Sequence, residues 1–426
     1  LIDGETQVGG TTCIVDPTAA TEVAAVGVWF DRGSRSERPG EYGSTHFIEH
    51  LLFKGTTSRS AYAIAHEIDR LGGSINAFTE REHVCVHATV PAESFSLAAE
   101  ILIDQTNESI LDPAEVERER SVIENELEAA DDDPEEFASD VFAETLWPEH
   151  PLGRRIGGTA AEVGSLSRDA LVEAYGRYFK RRVPLVTAAG DIDLGTVSSR
   201  FSGAFGFSVD ASVKNAEPPL TTGAHYRAAP FQHTQLFCSF QLQRKLSHDE
   251  YHALQIANSS IGDSMGSRLF QALREKRGLC YSVYSAPSLL SDTAVWTVYA
   301  SSKTETAPEL LGALAGELEA LLRSGLSSQE IDDARAQLRG GMKLDALDVE
   351  YRMRRIARQA LYGYAPLAVA DASSRIAAMD ESLVDRTFRT ISDPRSAFIL
   401  GVGPARGRAK FEAAAEAALD RIRKCV

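Results

Sequence analysis

The chain has 426 residues, of which 43% are apolar, 25% charged and 8% aromatic. This composition excludes a disordered or fibrous chain, and the length exceeds one core and points to two or three domains. With 44 basic against 61 acidic side chains the net charge is −17, so the protein's own field opposes nucleic acid and anionic membranes and favours cationic partners. No apolar run reaches the length of a membrane span. Five cysteines without a close-spaced pair read as reduced thiols, which places the chain as soluble and cytoplasmic, with an organelle matrix or the periplasm also open.

Taken in chain order, the first clear element is an alternating apolar run, Val23–Phe30, read as a strand. A turn-rich stretch, 31–44, leads to a helix over 46–53, with Ser44 or Thr45 as its N-cap. A second amphipathic helix, 61–71, ends at Gly72-Gly73, and strands follow at 74–79 and 83–90. Asp112-Pro113-Ala114-Glu115 reads as a cap, a first-turn proline and a capping-box acid that start a charged helix running to about Ala130. A further strand-length apolar stretch lies at 184–189.

Residues 208–225, rich in Pro, Thr, Asn and Gly without period, read as a linker between domains at 1–207 and 226–426. The second half repeats the plan: a strand at 233–241, helices at 251–260 and 267–276, the latter closed by Arg277-Gly278, and strands at 279–285 and 294–301. The helix start at Leu326 matches that at Leu111, an offset of 215 residues. The expected fold class is α+β, with two duplicated domains, each an antiparallel-rich sheet packed with helices.

Residues 46–50 read His-Phe-Ile-Glu-His. In a helix, positions i, i+3 and i+4 share a face, so His46, Glu49 and His50 converge. Two imidazoles a turn apart can share one tetrahedral zinc, and a carboxylate beside them can take a proton from water instead of binding the metal. This is the inverted zincin pattern, H-x-x-E-H. His83 and His87 are also four apart, but in a strand, which separates them by roughly 13 Å, too far to share a metal; they read as structural. A catalytic zinc takes a third protein ligand. The charged helix offers Glu117, Glu119, Glu124, Glu126 and Glu128, and physics alone does not choose among them. Glu119 and Glu126 share a face, so one could bind metal while the other orients a histidine from behind.

The segments HFIEHLLFKGT (46–56), INAFT (75–79), ERERSVIENEL (117–127) and LREKRGLCYSV (273–283) together resemble the pitrilysin/insulysin family of zinc peptidases. The likeness covers nearly the whole chain and is greatest to the short-chain branch with the mitochondrial processing peptidase β subunit and its bacterial homologues. The resemblance implies that the third ligand is the later glutamate of an E-x6-E pair some 75 residues beyond the second histidine. Here that is Glu126, 76 residues after His50, with Glu119 as the partner behind a histidine, Glu49 as general base and one Zn2+ per chain. It also implies that a substrate peptide pairs as an added strand at Asn76, Ala77 and Phe78, and that Arg274 and Tyr281 reach the substrate near the scissile bond. By residue type alone Phe78 reads equally well as a core strand residue.

The second half lacks the metal residues. It has His252-Ala253-Leu254-Gln255-Ile256 where the histidine helix would stand, and Ala334 and Gly341 at the offset positions of Glu119 and Glu126. Nor does it have the long glycine-rich loop of the processing peptidase α subunit, 261–266 being a short turn. The resemblance implies a zinc endopeptidase acting on short or unfolded peptides, some of them cationic, in a chamber formed by a homodimer with Arg274 and Tyr281 supplied in trans. Other roles within the same likeness are a β-type subunit needing a different partner and a non-catalytic relative of the respiratory bc1 core subunits.

Overall fold

The computed structural model describes residues 2–8, 10–206 and 215–425, arranged as two compact units, each an antiparallel-rich sheet packed with helices. The first sheet holds β1 (Asp3–Val8), β2 (Thr11–Pro17), β3 (Val23–Phe30), β4 (Ser74–Thr79), β5 (Val84–Pro91) and β6 (Leu185–Gly190) in the order β1-β2-β6-β3-β5-β4. The second holds β7 (Gly223–Ala228), β8 (His233–Leu242), β9 (Ser282–Leu289), β10 (Ala294–Lys303) and β11 (Phe398–Gly403) in the order β7-β11-β8-β10-β9. Without β1 the two orders correspond strand for strand. In each, the first strand pairs parallel with the last in sequence and every later step is antiparallel. The duplication suggested by the repeated helix start is therefore a duplication of topology.

Each sheet is buried on both faces, and the two faces are covered differently. One face of the first sheet packs on helices of its own half, among them Ser44–Leu51 and Phe95–Glu108, around Val26, Val28, Phe47, Ile48 and Ile101. The other face, with Ala25, Trp29, Cys85 and Ala189, is covered by Val349, Met353 and Ala357 of the helix Val349–Leu361, which comes from the second half of the chain. Arg352 of that helix reaches Asp16 at 2.8 Å, and Trp29 Nε1 donates to Thr187, whose hydroxyl donates to the Met353 carbonyl. The second sheet is treated reciprocally. Its outer face, with Phe237, Tyr299, Phe398 and Leu400, packs on Ala138, Val141 and Leu146 of the helix Pro134–Leu146, contributed by the first half.

The compact units accordingly comprise Leu1–Ala130, Arg154–Asn215 and Lys343–Asp371 in one, and Asp131–Gly153, Ala216–Met342 and Ala372–Val426 in the other. They are interleaved along the chain, whereas the sequence places a single boundary at 208–225. Of that linker, 208–214 lie outside the described residues, and Gly223 to His225 open β7. These residues belong to a strand because β11, more than 170 positions on, supplies the pairing. Double coverage also corrects the alternation expected of Val23–Phe30. From Ala24 onward every residue of β3 is buried, the pattern of a strand between two packed layers. At Gly27 the covering helix comes close, since a Cβ there would meet Met353 Sδ at 2.7 Å.

All five cysteines are free, four of them buried. Among the described residues no helix is long and apolar enough to cross a membrane.

Candidate metal centre

The helix Ser44–Leu51 carries the paired histidines, and its start is built differently from the sequence expectation. Its N-cap is Gly43, at φ +83°, and neither Ser44 nor Thr45 caps it. The capping group is the buried carboxylate of Glu37, which accepts from Gly43 N–H at 2.9 Å, Thr45 N–H at 2.7 Å and the Thr45 hydroxyl at 2.6 Å. An acid at a helix N-terminus satisfies its free amides and its dipole. A side chain at position 43 would suffer the left-handed conformation and meet the Gly157 carbonyl at 2.5 Å. Burial pushes the Glu37 carboxyl up to about 7, against the pull of those donors.

From this anchored start the helical period delivers His46, Glu49 and His50 to one face. The imidazole centroids of His46 and His50 lie 4.8 Å apart. The facing helix, Pro113–Asp132, is started as expected by Asp112, whose carboxylate accepts from Ala114 and Glu115 N–H; Glu115, read as a capping-box acid, instead pairs with Arg118. This helix brings Glu126 to the histidines, with Oε1 3.8 Å from His46 Nε2 and Oε2 3.5 Å from His50 Nε2. Glu119, one face and two turns earlier, sits behind His50, its Oε2 3.1 Å from Nδ1, while its Oε1 takes Lys54 Nζ at 2.7 Å. Of the five glutamates, Glu117 turns to Arg120 instead.

Among the described residues, His46, His50 and Glu126 are the one cluster of His, Cys, Asp or Glu with ligand atoms all within 4.8 Å of one another. Two imidazole nitrogens and a carboxylate with such spacings suit a tetrahedral zinc, whose ligands at about 2.0–2.2 Å stand some 3.4 Å apart and leave a fourth position open. The electrostatics agree with that use. Burial, and then the neighbouring His50, push His46 down to about 4, so it is neutral and able to ligate through the physiological range. For His50 burial works against the proton, but Glu126 and Glu119 outweigh it and the net shift is upward. The hydrogen bond from His50 holds Glu126 below the usual carboxylate range.

Glu49 stands beside this cluster and faces β4. Thr79, the last residue of that strand, donates its hydroxyl to Glu49 Oε2 at 2.5 Å. Burial raises the Glu49 carboxyl and the Thr79 bond opposes the rise. Thr79 and Lys54 both fall within the motifs quoted above, yet no spacing rule gives them a role, because each acts on a partner brought by the fold.

β4 is an edge strand. Asn76 is exposed and its Oδ1 accepts from Ala77 N–H at 2.9 Å. Ala77 and Thr79 face the histidine helix, and alternation sends Phe78 to the opposite face, where its ring packs edge-on against Trp29, 5.6 Å away, beneath the Arg354 guanidinium. His83 and His87 flank that same ring. His83 contacts Glu80 at 3.3 Å, while His87 meets Arg354 at 3.0 Å and Glu350 at 3.6 Å. The strand expected from residue 83 begins at Val84, so His83 lies just before β5 and His87 within it, and the two form no shared cluster among the described residues.

In the second unit, Arg274 lies in a short turn of π-helix, Phe270–Glu275, in place of the ordinary helix expected over 267–276. Its guanidinium stacks over Phe270 and over Tyr281, at 4.6 and 5.4 Å from the ring centres. Tyr281 is 84% exposed, so its own unit makes almost no packing use of it.

Two family models match the chain: the insulinase family of M16 peptidases over residues 13–160, and the M16 inactive domain over 165–338. A Streptomyces coelicolor protein named an uncharacterized zinc protease is 31% identical over 94% of this chain and 89% of its own length. A Mycobacterium bovis protein with the same description is 34% identical over 83% of each chain. Among solved structures, an M16 inactive-domain protein from Pseudomonas fluorescens (TM-score 0.85, 17% identity) covers 95% of this chain and 98% of its own. A protease from Helicobacter pylori (TM-score 0.85, 19% identity) covers 94% and 99%. A chain of complex III2 from Candida albicans (TM-score 0.80, 16% identity) covers 99% of both. At these identities the structures testify to the fold, and the sequence relatives to the lineage: the chain belongs to the insulinase-like M16 peptidase family, among relatives named zinc proteases.

Proposed function

We propose that the protein is a zinc metalloendopeptidase that hydrolyses short or unfolded peptides, with His46, His50 and Glu126 as metal ligands and Glu49 as general base. The observation that carries this reading is the convergence of three ligand atoms within 4.8 Å, with the Glu49 carboxylate beside them. A zinc ion held by these residues supplies Lewis acidity toward a peptide carbonyl and toward water. Glu119 fixes the tautomer of His50 by accepting from Nδ1–H, which leaves Nε2 free to ligate. Glu49 accepts a proton from the attacking water and returns it to the departing amine; the Thr79 bond occupies Oε2 and leaves Oε1 for that proton.

The open edge of β4 supports binding of an extended peptide by β-augmentation, which is largely indifferent to side chains. A paired peptide would take over the Ala77 N–H from Asn76 Oδ1. Phe78 contributes to this reading through its main chain and through the stiffness of its packing. The net charge of −17 supports a preference for cationic peptides. Retention of all four metal-site residues supports catalysis over a purely structural role. The test is Glu49→Gln, which should keep zinc at one per chain by metal analysis and lower peptide hydrolysis by at least about a hundredfold. Near-parental activity would overturn the assignment.

A chain that carries both the metal cluster and an Arg274 stacked on an exposed Tyr281 most economically forms a two-fold dimer in which each pair completes the partner's site. Tyr281 would donate to the developing oxyanion and Arg274 would hold a peptide carbonyl. Mixing inactive Glu49→Gln and Tyr281→Phe chains should regenerate activity in hybrid dimers. Absence of rescue after subunit exchange would refute completion in trans.

A further inference from the structure

The second unit has a cavity beside the two helices that correspond in chain order to those bearing the metal cluster in the first. Its helices His248–Gly262 and Ser328–Asp345 take the places in chain order of Ser44–Leu51 and Pro113–Asp132. Ser259 on one donates to Gln337 Oε1 on the other at 3.1 Å, just as His50 and Glu119 join the corresponding pair. The metal ligands are gone, yet the space between these elements has not been packed shut. It forms a cavity of about 640 Å³, a volume usual for small-molecule sites.

The charges around this cavity are balanced in sign. Arg268, Lys276 and Arg277 face it together with Glu317, Glu330 and Asp333. Arg268 and Glu330 neutralise each other through two hydrogen bonds of 2.8 Å, and Arg277 lies 3.4 Å from Glu317. Two charges then remain without an opposite partner among the described residues: the Lys276 ammonium, and the Asp333 carboxylate, which accepts only from the neutral Gln329 amide at 2.9 Å. The lining also includes Ser259, Ser260 and Gln337. A polyanion such as phosphate would meet as many carboxylates as cations here, whereas a molecule with one charge of each sign meets a complement for both.

We propose that this cavity binds a small zwitterion with a free α-ammonium and α-carboxylate, that is, an amino acid or very short peptide, the carboxylate on Lys276 and the ammonium on Asp333. The cavity lies wholly within the second unit, and the proposal does not depend on hydrolysis by the first.

The test uses the full-length Glu49→Gln chain, which removes the proposed base, with methyl-labelled methionines. Met265, on the turn beside the cavity, is 74% exposed, and its carbonyl accepts from the cavity residue Gln271; Met353, in the other unit, is fully buried and serves as reference. Alanyl-alanine should shift the Met265 methyl resonance saturably and leave Met353 still. N-acetyl-alanyl-alanine amide, with both charges removed, should bind at least about tenfold more weakly, and Lys276→Met and Asp333→Asn should each weaken the free dipeptide about tenfold. Both substituted residues are exposed, so both variants should fold. Equal binding of the blocked peptide, tighter binding of inorganic phosphate, unchanged affinity in both variants, or no saturable shift at all would overturn the proposal.

Discussion

Replacing Thr79 with valine tests whether the edge strand positions the proposed base. Valine matches threonine in shape and β-branching, so β4 and its pairing with β5 through Thr79 and Val84 should survive. What is lost is the hydroxyl that donates to Glu49 Oε2 at 2.5 Å. A hydrogen bond to a charged group contributes about 1.5–3 kcal/mol, and loss of that much orientation at the transition state lowers kcat about ten- to a hundredfold. The Thr79 hydroxyl bonds to Glu49 and not to His46, His50 or Glu126, so zinc content should be unchanged and KM nearly so. There is also a pH signature. The Thr79 bond opposes the burial-driven rise of the Glu49 carboxyl, so without it the folded-state value rises further, the base is protonated at higher pH, and the acid limb of kcat/KM moves upward. Steady-state kinetics on a quenched-fluorescence peptide from pH 5 to 9, beside Thr79→Ser, which keeps the hydroxyl and should keep most activity, provide the assay. Activity of Thr79→Val within twofold of the parent, or equal losses in the serine and valine variants, would refute the reasoning.

Two further outcomes follow from groups around the cluster. Glu119→Gln removes the charge that holds His50 Nδ1 and Lys54 and should weaken zinc binding about ten- to a hundredfold, measured by competition with a chromogenic chelator; parental affinity would show that His50 needs no such support. The Glu37 carboxyl, at about 7 in the fold against 4.5 unfolded, binds its proton more tightly when folded, so its contribution is fully present below pH 4.5 and is lost as pH rises through 7. This amounts to about 3 kcal/mol at most. Urea midpoints of the metal-free parent should therefore fall over this window relative to Glu37→Gln, which cannot titrate, and parallel pH dependences of the two chains would contradict the assignment.

Local sequence determines the features that depend on local geometry. A histidine, a glutamate and a histidine at i, i+3 and i+4 must share a helix face, and the structure shows this arrangement; of the two histidines expected in one strand, His87 lies in β5 and His83 immediately before it. The start of the glutamate helix at Asp112 and its length are equally local. The choice of Glu126 over its neighbours is of another kind. Five glutamates on one charged helix are alike by composition, and only the crossing of that helix against Ser44–Leu51 brings Glu126 to the imidazoles and Glu119 behind His50.

Tertiary structure alone decided the remainder, because the partners involved are far apart along the chain. The cap on the histidine helix is a glutamate seven residues before it, in a loop. The orientation of Phe78 away from the cluster follows from which face of β4 the Val349–Leu361 helix covers, and that helix arrives from the other half of the chain. A length of 426 residues and a repeated helix start imply a duplicated fold but not its interleaving. An amphipathic helix shows in its sequence that it has an apolar side to bury, but not which sheet buries it. Each sheet presents a second apolar face that its own half leaves bare, and the reciprocal exchange of Pro134–Leu146 and Val349–Leu361 covers both.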